Sequence, residues 1–478
     1  MATEKSADTV VKMCFSQKVV FNKARKGSVF VISLIFILVF SALAVSITSL
    51  SGTSLQISNN QKKASSALDS AHSGFEILRY YLNNVGFSGA VDETERFAAI
   101  ASNIEDQINS SAAYNMNFSY DSVNKIITFT DVTLNSQQNQ NFTAVLSEVD
   151  SETVCLAIEG DCGEFSKNVE VNFVIAPIGN RVFDYGVATV GPLQMSGQAE
   201  MEGVNLAIEA SVYIIGDSVG TDSFSITNKA SVAGEVSIAN PYATYSVGTQ
   251  SSVGGATGED ASDMVHIGVG YTDFPVPDPD FFRQFATGEV IDSTSDWDNY
   301  SVLNNVVIAA GTNPTFASNV TINGVLFIET PNTVHFAGQS VVNAIVVGDG
   351  DIDDESSSSN ISFSGQVICN DVGVLEGSEF DDIKQNTGTF IMAPGFSLDF
   401  SGQENQMHGA IAASGISFSG QAGGTVNGTL INYSQDPMYM AGQSTLMFNR
   451  SGIETNPSGF RSDYILEYMP GSYAEPVI

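Results

Sequence analysis

Basic side chains are scarce in this chain of 478 residues: 18 Lys and Arg stand against 53 Asp and Glu, for a formal net charge of −35. That balance excludes a nucleic-acid binder working through a basic surface. The four histidines, His72, His266, His335 and His408, are far apart in the chain and form no H-E-x-x-H pair, so each reads as surface or structural. A P-loop and a complete dinucleotide fingerprint are also missing. The single tryptophan, Trp297, reads either as a packing anchor or as a binding platform. Charged residues make up only 15% of the chain, yet 43% is hydrophobic, which supplies enough apolar surface for cores and argues against disorder. The length allows about three domains.

The few basic residues are unevenly placed. Lys5, Lys12, Lys18, Lys23, Arg25 and Lys26 all precede Gly27, leaving 12 basic and 51 acidic side chains over residues 28–478. Residues 27–61 then contain no charge, and residues 29–45 form an apolar run long enough, with its flank, to cross a bilayer as a helix. A basic cluster before such a helix stays in the cytoplasm and places the body outside. A secretory signal cleaved near residues 42–44 and a buried core helix are the competing readings. Beyond the apolar run, Ala64, Ala67, Leu68, Ala71, Phe75, Leu78 and Leu82 share one helical face, with Lys62, Lys63, Asp69, Glu76 and Arg79 on the others. The sequence from Asn83 to Gly86 is the expected stop.

This arrangement resembles the type IV pilin superfamily, most closely its PilX-like minor pilins. The residues that carry the likeness are Arg25, Lys26 and Gly27 followed by the apolar run from Ser28, and the helical stretch from Ala64 to Glu76. The resemblance implies cleavage by a prepilin peptidase between Gly27 and Ser28. It further implies a helical spine packed on a meander of strands, with other pilins or pilus-assembly proteins as partners. Two positions depart from the family pattern. Ile32 stands at the fifth mature position, where most pilins carry Glu, and His72 stands where PilX-like members often carry Glu. Loss of the first Glu fits a tip or initiating subunit better than one along the filament shaft.

The expected fold class is α+β, in seven parts: a basic cytoplasmic leader over residues 1–27, the membrane-spanning and amphipathic helix over 28–86, a small α/β head over 87–178, a first solenoid portion over 179–272, a Pro/Asp-rich connector over 273–300, a main solenoid over 301–450, and a C-terminal tail over 451–478. In the head, residues 94–108 read as a helix, residues 114–120 and 125–131 as a hairpin around Asp121, and residues 145–158 and 169–175 as further strands. Of four cysteines, Cys14 falls in the leader and Cys369 reads as buried core. Cys155 and Cys162, at a hairpin-like spacing in an exported segment, are expected to form a disulfide.

A repeat organises the C-terminal half. An aromatic or Met, a small residue, Gly and Gln recur with the last two at Gly197 and Gln198, Gly338 and Gln339, Gly365 and Gln366, Gly402 and Gln403, Gly420 and Gln421, and Gly442 and Gln443. A second element follows in several repeats, with apolar residues at i and i+4 flanking a small one at i+2, as at Ile322, Gly324 and Leu326. Short strands with Gly corners at roughly 20-residue spacing predict a right-handed parallel β-helix, or β-solenoid. In it Phe or Met stacks inside and Gln or Asn forms amide ladders between rungs. A jelly roll or sandwich is the competing fold. The region is also similar to β-helical domains of unknown function attached to PilX-like N-termini in surface proteins.

Little here carries catalysis. The G-x-S-x-G pattern at Gly216, Ser218 and Gly220 needs a following helix, a His and an acid, whereas residues 221–227 read as another strand, so a solenoid turn is expected. Asp349, Asp351, Asp353, Asp354 and Glu355 form the best candidate for a Ca²⁺ loop, with a solvated acidic loop as the alternative; no other cofactor is expected. The favoured function is a non-enzymatic minor pilin anchored in the inner membrane, with its body periplasmic or extracellular, for adhesion or assembly priming. A surface polysaccharide is a candidate ligand. The alternatives are a tethered polysaccharide-lyase-like enzyme and a static membrane-anchored scaffold.

Overall fold

The computed structural model describes residues 28–87, 91–110, 116–216, 220–295, 302–316, 320–352, 354, 358–453 and 456–476. Helix α1 (Ser28–Leu82) runs for 55 residues, about 80 Å at 1.5 Å per residue. Residues 29–62 are exposed, and this part is long and apolar enough to cross a membrane once. The amphipathic half then docks: Ala67, Ala71, Leu78 and Leu82 are buried, and Leu68 and Phe75 pack beside them. The helix ends where Asn84 turns its side-chain amide back onto the Tyr80 carbonyl.

The docking surface is an antiparallel sheet. Strand β1 is Gly86–Phe87, and after helix α2 (Arg96–Ser110) a meander follows of β2 (Asn117–Asp121), β3 (Ile126–Asn135), β4 (Gln140–Asp150), β5 (Thr153–Cys162) and β6 (Phe165–Ile178). The expected hairpin is present: the Asp121 carboxylate accepts from the Val123 and Asn124 amides and Lys125 sits at φ 52°, closing the β2–β3 turn. Alternation along β5 buries Val154, Leu156 and Ile158 on the helix side. Close approach of helix to sheet depends on small residues, because a Cβ at Gly160 would lie 2.2 Å from the Ala71 nitrogen.

The C-terminal segment is not a tail. Residues Asp463–Tyr468 form a strand between β6 and β1, and Leu466 enters the head core. Among the described residues the head sheet therefore has seven strands, drawn from segments on both sides of the body in the chain. Residues 451–478 read as a tail because one short strand gives no local sign of which distant edge it will join.

Between these segments lies a large body of parallel strands in three stacks around a common apolar core. The first stack runs, by pairing, from Val265–Ile267 through Val236–Ile238, Val212–Ile214, Val187–Thr189, Leu430–Asn432 and the strands containing Ile411, Ile391, Val346 and Leu326, to the strand with Ile308 and finally Val290–Ile291. Over most of its length its residues are apolar in unbroken runs because both faces are covered; at one end Ser237 and His266 face outward. Leu326 and Ile328 point into the common core, whereas Val325 and Phe327 meet Phe282, Phe380 and Ile383 outside it. The other two stacks keep one face in the core and present the other to solvent.

The order of layers departs from a simple coil read end to end. The chain enters the body in the middle, at Val187–Thr189, and runs outward to Val265–Ile267. It restarts at the opposite end and works back until Leu430–Asn432 pairs with Val187–Thr189. The segment called a connector bridges those two ends. Ten spacings of about 4.8 Å are some 48 Å, well within the extended reach of about 20 residues. On the way Phe274 packs between Tyr213 and Tyr433, Val276–Pro277 pairs with Phe460–Arg461, the short helix Pro279–Arg283 buries Phe282, and Val290–Ile291 already belongs to the stack. It is the cover of the first stack as well as a link.

Candidate functional site

The repeat residues come together along the two solvent-facing stacks. Phe316, Phe336, Phe363, Phe400 and Phe418 form one internal column, with ring centroids 5.3, 4.8, 5.0 and 4.8 Å apart; the last three pairs lie within 8° of parallel. Met440 and Met195 continue that column across the junction between the two chain portions. The repeat glycines serve the same geometry in two ways. Gly197, Gly338, Gly420 and Gly442 adopt positive φ, while a Cβ at Gly365 or Gly402 would lie 2.3 or 2.1 Å from the carbonyl of the preceding layer.

Amide ladders run outside this column. The Gln421 amide donates to Gln443, at 3.4 Å, and Gln443 donates to Gln198, at 3.1 Å. Gln366 and Gln403 are paired on neighbouring strands, and Gln339 is exposed at its corner. A second ladder joins Asn304, Asn323, Asn343 and Asn370 at 2.7–2.9 Å, and a further set joins His408, Asn427, Asn449 and Asn205 at 3.1–3.3 Å. His408 takes an Asn position in the register, opposite Asn427, as the repeat implies. Asn304, Asn370, Asn449 and Asn205 escape the sequence pattern because loops of different length separate them.

The junction is held by two residues that no motif marks. The Arg450 guanidinium donates to the Phe183 and Tyr185 carbonyls and to the Thr429 hydroxyl. Its backbone N–H donates to Glu209, which also accepts from the Asn205 and Leu206 amides and the Asn205 side chain. Burial alone would raise the Glu209 pKa, but these donors outweigh it and hold the carboxyl below the usual carboxylate range.

The expected disulfide does not form. Cys155 and Cys162 are free and lie on the single strand β5, seven residues apart and on opposite faces. At about 3.3 Å per residue their Cα atoms are some 23 Å apart, far beyond the roughly 7 Å a disulfide spans. The hairpin-like spacing misled because the intervening residues continue the strand. Burial and the nearby Glu170 raise the Cys155 thiol pKa. Cys369 is buried in the common core, as expected.

Other sequence candidates disperse. Ser28 opens α1, while Gly27, the rest of the leader, Cys14 and Trp297 lie outside the described residues. In the acidic loop Asp349 accepts from the Thr330 amide at 2.6 Å, and Asp353 and Glu355 lie outside the described residues. Among the described residues no group of three or more His, Cys, Asp or Glu converges as a metal site requires. The serine of the G-x-S-x-G pattern is likewise outside them, and the next described element is the strand Phe224–Ile226, not a helix. His72 contacts Tyr473, His266 contacts Glu235, and His335 lies between Ser362 and Ser364.

No family model and no curated protein matches the chain. Among solved structures it is similar to the competence-associated pilin ComZ from Thermus thermophilus, at 11% identity and a TM-score of 0.28, covering 87% of this chain and 97% of that one. It is also similar to the ice-binding protein of the Antarctic ascomycete Antarctomyces psychrotrophicus, at 10% identity and a TM-score of 0.15, covering 56% and 97% respectively. Likenesses at these TM-scores decide neither fold nor function.

Proposed function

We propose that this chain is a minor-pilin-like surface protein, non-enzymatic, whose N-terminal helix anchors it in the inner membrane and whose body is displayed outside for adhesion or assembly priming. The observation that carries this reading is α1: one continuous helix leaves residues 29–62 exposed, the apolar run 29–45 among them, then buries its next turns in an antiparallel head. A helix that served only as a core element would not leave its most apolar half uncovered. The basic residues before Gly27 favour a cytoplasmic N-terminus. We read the three parallel stacks as a right-handed β-solenoid, supported by the Phe column and the amide ladders. In this proposal a prepilin peptidase cuts after Gly27, and other pilins pack against the exposed half of α1.

The test is the mature N-terminus of protein recovered from membrane and filament fractions. Ser28 as first residue, with the chain in sheared filaments, is the expected result. Met1 as first residue together with a Gly27→Leu variant that assembles normally would refute processing, and confinement to the membrane when filaments are present would refute incorporation.

A further inference from the structure

The stack that runs beside the one carrying the Phe column presents, over three of its strands, an outward face rich in amides and hydroxyls. Where the strands Gln403–His408, Gly423–Asn427 and Thr445–Phe448 lie side by side, they line a shallow open groove of about 440 Å³. Gln403, Gln421 and Gln443 form one edge, Thr425 and Thr445 stand along it, and Met447 offers a partly exposed apolar surface. Among the described residues none that lines this groove is ionisable, in a chain with 53 acidic side chains; Glu200 and Glu202 pair with Thr445 and Met447 on the adjoining strand. At Gly423 a Cβ would lie 2.2 Å from the Thr445 carbonyl, so only glycine lets the two layers approach this closely.

The amides here are pre-ordered. A primary amide carries two N–H donors and two acceptor lone pairs. The Gln421–Gln443–Gln198 ladder uses at most one donor and one acceptor of each, leaving the remainder to face solvent at fixed spacing. Little side-chain entropy is then lost when a ligand engages them. Layers repeat about every 4.8 Å, a scale close to one pyranose unit of an extended polymer.

From this geometry we infer that the groove binds a neutral, extended polysaccharide, its hydroxyls paired with the glutamine and threonine side chains and a sugar face resting on Met447 and the glycine floor. Charge decides the class. An anionic polymer would meet a chain of net −35, with Glu200 and Glu202 on the strand beside Thr445 and Met447 and no basic side chain among the described groove residues, whereas the hydroxyls of a neutral sugar can both donate to and accept from the lining amides and hydroxyls. The inference deepens the surface-display reading by naming the ligand class of the displayed face.

Affinity electrophoresis of the full chain in detergent tests it, with dextran, mannan, β-1,3-glucan and xylan as neutral probes and alginate and polygalacturonate as anionic ones. At least one neutral polymer should retard the protein. The Gln421→Ala/Gln443→Ala pair and Met447→Ala should each weaken retardation at least tenfold, and Thr425→Asp should abolish it. Ser246→Ala, on the stack that carries the Phe and Met column, should leave it unchanged, and all variants should keep the wild-type melting temperature. No retardation by any neutral probe, equal retardation by the polyuronates, or binding untouched by the groove variants would overturn the inference. So would a self-associating wild type made monomeric by Thr425→Asp, which would assign the face to a second copy. Binding is measured on purified protein, so its failure leaves anchoring intact, whereas normal binding by a chain absent from membranes and filaments would remove the display reading alone.

Discussion

Replacing Phe363 by Ala should damage the body more than any comparable change at its surface. The ring is fully buried and lies 4.8 Å from Phe336 and 5.0 Å from Phe400, within 6° of parallel to both. Loss of its transfer free energy costs about 2 kcal/mol. A residual cavity of roughly 100 Å³ that the stiff parallel layers cannot close adds about 2.4 kcal/mol at 24 cal/mol per Å³. The sum, about 4 kcal/mol, sits within the usual range of about 3–5 kcal/mol for Phe→Ala in a core. Phe363→Leu keeps much of the volume and forfeits both ring contacts, worth about 0.5–1.5 kcal/mol each, so it should cost about half as much. Hydrogen exchange on the detergent-solubilised chain reads the effect locally, through amides of the strands bearing Phe336 and Phe400. Expected is a loss of protection by about two to three powers of ten in Phe363→Ala, from 1.4 kcal/mol per tenfold. Protection within threefold of wild type, or equal losses in the Leu and Ala variants, would refute the column as a source of stability.

Gly160→Val places a branched side chain where a Cβ alone meets helix backbone at 2.2 Å; it should destabilise the head by at least about 1–3 kcal/mol and raise proteolysis between α1 and β5 while the Phe column stays protected. Arg450→Met leaves the Phe183 and Tyr185 carbonyls without their guanidinium donor and should lower stability by about 2–4 kcal/mol, read as a fall in melting temperature. Because the native Glu209 carboxyl titrates below its usual range, its stabilisation is complete above the unfolded carboxylate pKa and is lost as pH falls through the native value. Glu209→Gln should therefore melt lower than wild type at pH 7 and show a smaller further drop on acidification, and an identical pH profile would contradict the assignment. Cys155 and Cys162 should both be found as thiols by mass after alkylation in denaturant without reductant. In the native chain the half-exposed Cys155 should alkylate first, its rate rising only above the ordinary thiol range because burial and Glu170 raise its pKa. A native mass two hydrogens lighter would restore the disulfide.

Much of this protein could be read locally. The apolar run after Gly27 and the face from Ala67 to Leu82 predict α1, since a helix buries or exposes side chains by a fixed period. The Phe-Ser-Gly-Gln repeats predict a stacked column, since identical neighbours fill identical sites layer after layer. The repeat register alone puts His408 opposite Asn427. Spacing cannot tell a turn from a strand that continues, so Cys155 and Cys162 look paired in sequence while one strand holds them apart. The glutamine edge of the groove lies within the repeats, but the groove is completed by Thr425, Thr445 and Met447, which no repeat marks.

What sequence alone determined, then, is each unit: the helix, the meander, and the layer with its inward Phe or Met and its Gly corner. These follow from periods and from steric limits that act within a few residues. Tertiary structure alone decided the order of assembly. That the last layer seats on the first, that the connector covers the first stack, and that Asp463–Tyr468 completes a sheet begun near residue 86 all depend on which open strand edges meet. Parallel and antiparallel edges present the same backbone groups whatever their side chains. The choice among them is made by the packing of Arg450, Glu209, Phe274 and Phe282 across the junctions, between residues hundreds of positions apart.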